Sequence, residues 1–142
     1  MDSLTRRQFT SRSAGAIAAA VAGKAAPSDS LTMGLIGAGP RGMYVLSEFL
    51  KHSDIRFVAV CDCFAERRNQ AKQAVDQKYG DTGCASYRFH EQVLDRKDID
   101  AVLIATGDRW HAVLSVLAAR AGKDVYCEKP ISLTIGEGRV VV

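Results

Sequence analysis

From residue 30 onward this 142-residue sequence predicts a doubly wound parallel α/β sheet. Three observations carry that expectation. Short apolar runs alternate with segments of helical period, the pattern of strand–helix–strand units. One of those runs, residues 101–105, is apolar without interruption, as a strand covered on both faces should be. The first run passes directly into a glycine-rich turn before helical spacing begins.

The elements follow in order. Residues 31–36 read as the first strand. Residues 41–51 read as a helix with Val45, Leu46, Phe49 and Leu50 on one face. Residues 57–61 form a second buried strand. A mostly polar helix covers 65–79, with Ala71, Ala74 and Val75 as its inner stripe. A loop at 80–83 leads to a short third strand near 86–89. After the fourth strand at 101–105, a helix over 111–121 is expected to bury Val113, Leu114, Leu117 and Ala121 and to end at Gly122. Residues 124–127 supply a fifth strand, and a last helix begins near Thr134. There is no internal repeat. The six-strand version of this sheet needs one further strand. The sequence reading therefore expects a sheet truncated before its last strand.

A composition of 47% hydrophobic and 25% charged residues supports a packed core and argues against disorder. The net charge of +3 is unevenly placed. Arg6, Arg7, Arg12 and Lys24 lie in the first 26 residues against Asp2 alone, and the remainder is balanced. That leaves no basic face for nucleic acid. The four cysteines, at 61, 63, 84 and 127, lack the paired spacing of a zinc site. They read as structural or incidental thiols, and no metal is expected.

Residues 1–26 read as an export address. Arg6 and Arg7, with Phe9 two positions on, precede a short alanine-rich stretch at 14–22. A basic start, an apolar middle and a small-residue end make a secretory signal, and the adjacent arginines resemble the twin-arginine type. Such a signal places the protein in the periplasm or another extracytoplasmic space. An amphipathic or disordered N-terminal tail is the alternative, and it leaves the protein in the cytoplasm. The apolar stretch is too short to span a bilayer core of about 30 Å, so no stable membrane anchor is expected.

The turn after the first strand, Gly37-Ala38-Gly39-Pro40-Arg41-Gly42, is G-x-G-x-x-G. A strand precedes it, a helix follows it, and Asp62 stands at the end of the second strand. Gly37 permits the tight turn, Gly39 lets backbone approach a pyrophosphate, and Gly42 lets the helix pack close to the sheet. Free amides and the positive dipole end of the helix suit phosphate. Asp62 suits the hydroxyls of an adenosine ribose. Its charge repels a 2′-phosphate, so NAD is expected over NADP, with Arg67 and Arg68 tempering the preference.

Two later segments carry a family resemblance. Residues 99–106 lead into Asp108-Arg109-Trp110-His111, and residues 121–127 lead into Glu128-Lys129-Pro130. With the glycine turn, they resemble the Gfo/Idh/MocA family of oxidoreductases, which includes glucose–fructose oxidoreductase and inositol dehydrogenase. The resemblance implies a Rossmann domain over 31–142 that binds NAD(P), and a second domain that covers the nicotinamide and holds a sugar- or polyol-like substrate. It implies that Arg41 and Gly42 touch the pyrophosphate and Asp62 the ribose. Thr106, Asp108, Arg109, Trp110 and His111 would line the cofactor, with Glu128 and Lys129 beside the nicotinamide ribose. Lys129 is the catalytic candidate. His111 has a second reading, as a helix cap or a partner for Trp110, and Trp110 a second reading as packing.

These expectations define an NAD(P)-dependent oxidoreductase represented by its cofactor domain. The family's downstream aspartate and histidine have no counterpart in this sequence, which leaves turnover by this chain alone in doubt. Homo-oligomers are expected of the full-length protein. Two rival readings remain: an NAD-dependent glycoside hydrolase of the same superfamily, and an inactive nucleotide-binding fragment.

Overall fold

The computed structural model describes residues 30–142, so the proposed signal at 1–26 lies outside the described residues. Five strands form one sheet: β1 (Leu31–Ile36), β2 (Ile55–Cys61), β3 (Ala85–Tyr87), β4 (Ala101–Ile104) and β5 (Asp124–Cys127). All pairings are parallel and the spatial order is β3-β2-β1-β4-β5. The chain therefore winds outward from β1 in one direction, returns, and winds outward again from β4. Ligands bind in such sheets at the carboxyl ends of the two strands flanking that reversal, here β1 and β4.

Each connection is helical. α1 (Pro40–Phe49) starts on Pro40, whose fixed φ and missing N–H suit a first helical position. α2 (Ala65–Tyr79) ends at Gly80, which takes the left-handed conformation at φ 69°. α3 (Glu91–Leu94) is a short turn, and a 3₁₀ turn at Asp108–Trp110 leads into α4 (His111–Arg120). α5 (Ile135–Val141) opens on a reciprocal cap: the Glu137 N–H donates to Thr134 Oγ1, and the Glu137 carboxylate accepts from the Thr134 N–H.

Two apolar layers sandwich the sheet. One gathers Met33, Leu35, Leu46, Phe57, Val75 and Leu103 beneath α1 and α2. The other gathers Ile36, Ala59, Val93, Val102, Ile104 and Leu114 on the opposite face. β4 contributes alternately to both, and its four residues are all buried, as its unbroken apolar run predicts.

The structure departs from the sequence reading in particular places. In α4 only Leu114 of the expected stripe is buried; Val113 is 47% and Leu117 36% exposed, and Ala121 is half-buried. The buried stripe is instead His111, Ala112, Leu114, Ser115 and Ala118. Most of this helix is apolar around its circumference, so composition did not fix its rotation. The β1–β2 register also slips: Met33 pairs with Phe57 and Gly34 with Ala59, leaving Val58 extra. Phe57 and Val60 consequently share one layer, while Ala59 and Cys61 share the other.

Candidate functional site

The glycine turn is dictated by close approach. Gly37 sits at φ 97°, and a Cβ there would lie 2.7 Å from the Ala105 backbone. A Cβ on Gly42 would lie 2.0 Å from the Gly37 carbonyl oxygen, so α1 touches the end of β1 only because residue 42 has no side chain. Gly39 is different. Its φ of −68° suits any residue, and a Cβ there would meet only Arg67 Nη1, at 3.7 Å. The space above Gly39 is open. Gly39 caps α1 without a side-chain hydrogen bond, and no acidic residue stands in the first turn. The positive end of this ten-residue helix is thus left for an anion from outside the fold.

Asp62 lies directly beyond β2 and is 8% exposed. Its Oδ2 accepts from the Ala38 N–H at 2.8 Å and its Oδ1 from the Phe64 N–H at 2.9 Å. The carboxylate therefore ties the end of β2 to the glycine turn. A carboxylate offers about four lone-pair positions, so it keeps acceptor capacity for hydroxyl groups. Arg68 donates to the carbonyl oxygens of Asp62 and Cys63, at 2.8 and 3.3 Å, and so stabilises the loop. Arg67 lies over the Phe64 ring at 4.6 Å and faces the open side.

These groups border a cleft of about 690 Å³ between the ends of β1, β2 and β4. Gly37, Gly39, Arg41, Asp62, Thr106, Arg109 and Trp110 reach it. Phe64, Arg88 and Phe89 also line it, although the sequence reading assigned them no role. Phe64 carried a signal, since it follows the carboxyl end of the second strand; Arg88 and Phe89 did not, because the third strand was expected over 86–89 and ends instead at Tyr87. Trp110 is 50% exposed at this cleft rather than packed in the core.

A second cleft, of about 450 Å³, is bordered by Asp108, His111, Glu128 and Lys129. It shares Arg41, Ala105 and Thr106 with the first. Glu128, 6% exposed, accepts from Arg41 Nη2 at 2.9 Å. The guanidinium holds the Glu128 carboxyl below its usual range. Lys129 is exposed at the edge of this cleft, and the Lys129–Pro130 peptide is cis. His111 is 1% exposed, with Nδ1 2.7 Å from the Pro130 carbonyl oxygen and Nε2 3.1 Å from that of Thr106. It neither caps α4 with its side chain nor depends on Trp110 for its polar contacts. Among the described residues no cluster of three or more histidine, cysteine or acidic side chains could hold a metal, and no helix is long and apolar enough to cross a membrane.

A parallel sheet with its reversal between β1 and β4, an uncapped helix start over glycine and an acid beyond β2 together define a dinucleotide-binding domain. The comparisons with known proteins are specific about which kind. Residues 31–142 match the Gfo/Idh/MocA oxidoreductase family, NAD-binding Rossmann fold, and the chain belongs to that family. It is 38% identical over 104 residues to an inositol 2-dehydrogenase of Rhizobium meliloti, covering 73% of this chain and 29% of the relative. It is 34% identical over 113 residues to a glycosyl hydrolase family 109 protein of Saccharopolyspora erythraea, covering 77% of this chain and 24% of the relative. The crystal structure of a myo-inositol 2-dehydrogenase from Lactobacillus plantarum superimposes with a TM-score of 0.70 at 26% identity, covering 79% of this chain and 32% of that one. The chain thus spans 24–32% of the length of these relatives.

Proposed function

We propose that residues 31–142 hold a nicotinamide dinucleotide for hydride transfer between the ring and a sugar- or polyol-like alcohol or aldehyde. The observation that carries this reading is the open amide end of α1 over Gly39, flanked by Asp62 on one side and by Glu128 and Lys129 on the other. Two clefts that share Arg41, Ala105 and Thr106 beside the open helix start suit a ligand with two nucleoside halves and a pyrophosphate between them.

On this reading the pyrophosphate lies over Gly37, Gly39 and Gly42, with Arg41 beside it. Asp62 accepts from the adenosine ribose while still holding the Ala38 amide. Thr106, Asp108, Arg109 and Trp110 line the path toward the nicotinamide half, and Glu128 stands beside that half. When bound, the nicotinamide ring supplies the hydride acceptor or donor. Lys129 is the catalytic residue: its side chain hydrogen-bonds the substrate oxygen and stabilises the alkoxide as the hydroxyl proton is relayed through it to solvent and hydride passes from the adjacent carbon to the ring. In the reverse direction it stabilises the negative charge that builds on a carbonyl oxygen as hydride arrives.

The cofactor is NAD in preference to NADP, because the Asp62 carboxylate repels a 2′-phosphate. Arg67 is the opposing influence; Arg68 is occupied by the loop backbone. Calorimetry tests this. The chain should bind NAD more tightly than NADP, and Asp62→Ala should weaken NAD binding about tenfold and narrow the gap, a tenfold change being about 1.4 kcal/mol. Tighter NADP binding by the unmodified chain would contradict the assignment.

The glycosyl hydrolase relative supports a second reading, in which the same cofactor is used for transient oxidation during glycoside cleavage. The products separate the two in the competent enzyme. Net NADH from free sugars belongs to hydride transfer, and glycoside cleavage without net NADH belongs to the second reading. We assign residues 1–26 as a twin-arginine export signal on the strength of Arg6, Arg7 and the apolar stretch that follows.

A further inference from the structure

Resting on that dinucleotide reading, we propose that His111 is a positioning residue: it pins the loop after β4 to the segment after β5 and so fixes the half of the site that carries Lys129. Its two polar contacts are the observation. Nδ1 meets the carbonyl oxygen of Pro130, and Nε2 meets that of Thr106. Thr106 follows β4 and Pro130 follows β5, so one imidazole joins the ends of two neighbouring strands. The β4–β5 pairing stops at Ile104 and Cys127, with the Glu128 N–H donating to the Ile104 carbonyl just beyond. The His111 bridge continues that connection further out, where strand geometry no longer supplies it.

The choice of residue follows from what the backbone offers. Proline has no N–H, so Pro130 presents only a carbonyl, and Thr106 presents another. Carbonyls accept and never donate. An imidazole donates from one ring nitrogen when neutral and from both only when doubly protonated. At least one of the two carbonyls therefore receives its N–H while the ring lies between them, and a buried polar side chain needs such a partner. A ring 1% exposed and placed at the first position of α4 is also rigidly held. Lys129 is the residue immediately before Pro130, and Thr106 borders both clefts. Loosening the bridge therefore frees the segment that presents Lys129, while Thr106 stays held by the backbone of the loop directly after β4.

The adenosine half is built differently. Gly39 follows β1 and Asp62 follows β2, the two loops being joined through the Ala38 amide, and Arg67 stands in the first turn of α2 over Phe64, all without His111. A pin at His111 therefore predicts a one-sided effect, whereas a general contribution to folding predicts an even one.

Calorimetric titration of the full 142-residue chain with ADP and with NADH distinguishes them. His111→Ala should bind ADP within a factor of about two of the unmodified chain and NADH about tenfold more weakly, since a lost buried hydrogen bond is of that order. His111→Gln, which can still donate to one carbonyl, should recover part of the NADH affinity. Equal losses for both ligands, or undiminished NADH binding, overturn the proposal. Should His111→Ala not fold, nitrogen NMR of the unmodified ring decides: its signals should move with NADH and not with ADP, and the same response to both, or none, overturns it. A chain that binds ADP but gains nothing from the nicotinamide half sinks the pin alone. A chain that binds neither ligand sinks the dinucleotide reading and the pin together.

Discussion

Glu128 and Asp62 show how much a single buried carboxylate organises here. Arg41 holds the Glu128 carboxyl below its usual value of 4.5 through a direct hydrogen bond. A carboxyl depressed in the folded state contributes stability that is present at neutral pH and is lost as pH falls through its lowered value. Urea denaturation of Arg41→Ala should therefore differ from the unmodified chain at neutral pH and converge with it as pH falls through that lowered value. A difference that persists undiminished in acid would place the effect of Arg41 elsewhere. Asp62 was legible as an acid because it stands the expected distance beyond the glycine turn. Its bond to the Ala38 amide was not, since 24 residues separate the partners. His111 was legible only as a residue near the site. That both of its ring nitrogens meet carbonyls depends on where β4 and β5 end relative to α4, which local sequence does not encode.

At the scale of the elements, the glycine turn separates folding from binding. Gly42→Ala forces a Cβ to within 2.0 Å of the Gly37 carbonyl oxygen, and both groups belong to backbone. It should destabilise the fold by about 1–3 kcal/mol, as overpacking does, and a thermal melt checks it. An unchanged Tm would show that α1 can move away from β1 at no cost. The strands and helices themselves were largely readable. Apolar runs gave β2 and β4, Gly80 and Gly122 gave helix ends, and α5 starts immediately after Thr134 as expected. Two features were hidden. The extra residue at Val58 leaves no trace in a strand that is apolar on both faces, yet it reverses the alternation leading to Asp62. The rotation of α4 was ambiguous because Val113 and Leu117 are as apolar as the residues that are buried.

On the proposed reading the whole chain combines an export address with a cofactor domain. The pairing is physically coherent, since a twin-arginine route carries folded proteins and permits a dinucleotide to be loaded beforehand. Changing Arg6 and Arg7 together to lysine should retain a reporter fusion in the cytoplasm, as fractionation would show; continued export through the general secretory channel would remove the assignment. The central claim concerns the domain. Calorimetric titration of the 142-residue chain with NAD, beside the Gly39→Ala variant, tests it most directly. A Cβ at Gly39 meets only the tip of Arg67, so the variant should melt as the unmodified chain does, while its methyl group occupies the opening over α1. Saturable one-to-one NAD binding by the unmodified chain, and its loss in the folded variant, are expected. No binding by the unmodified chain, or equal binding by both, would contradict the claim.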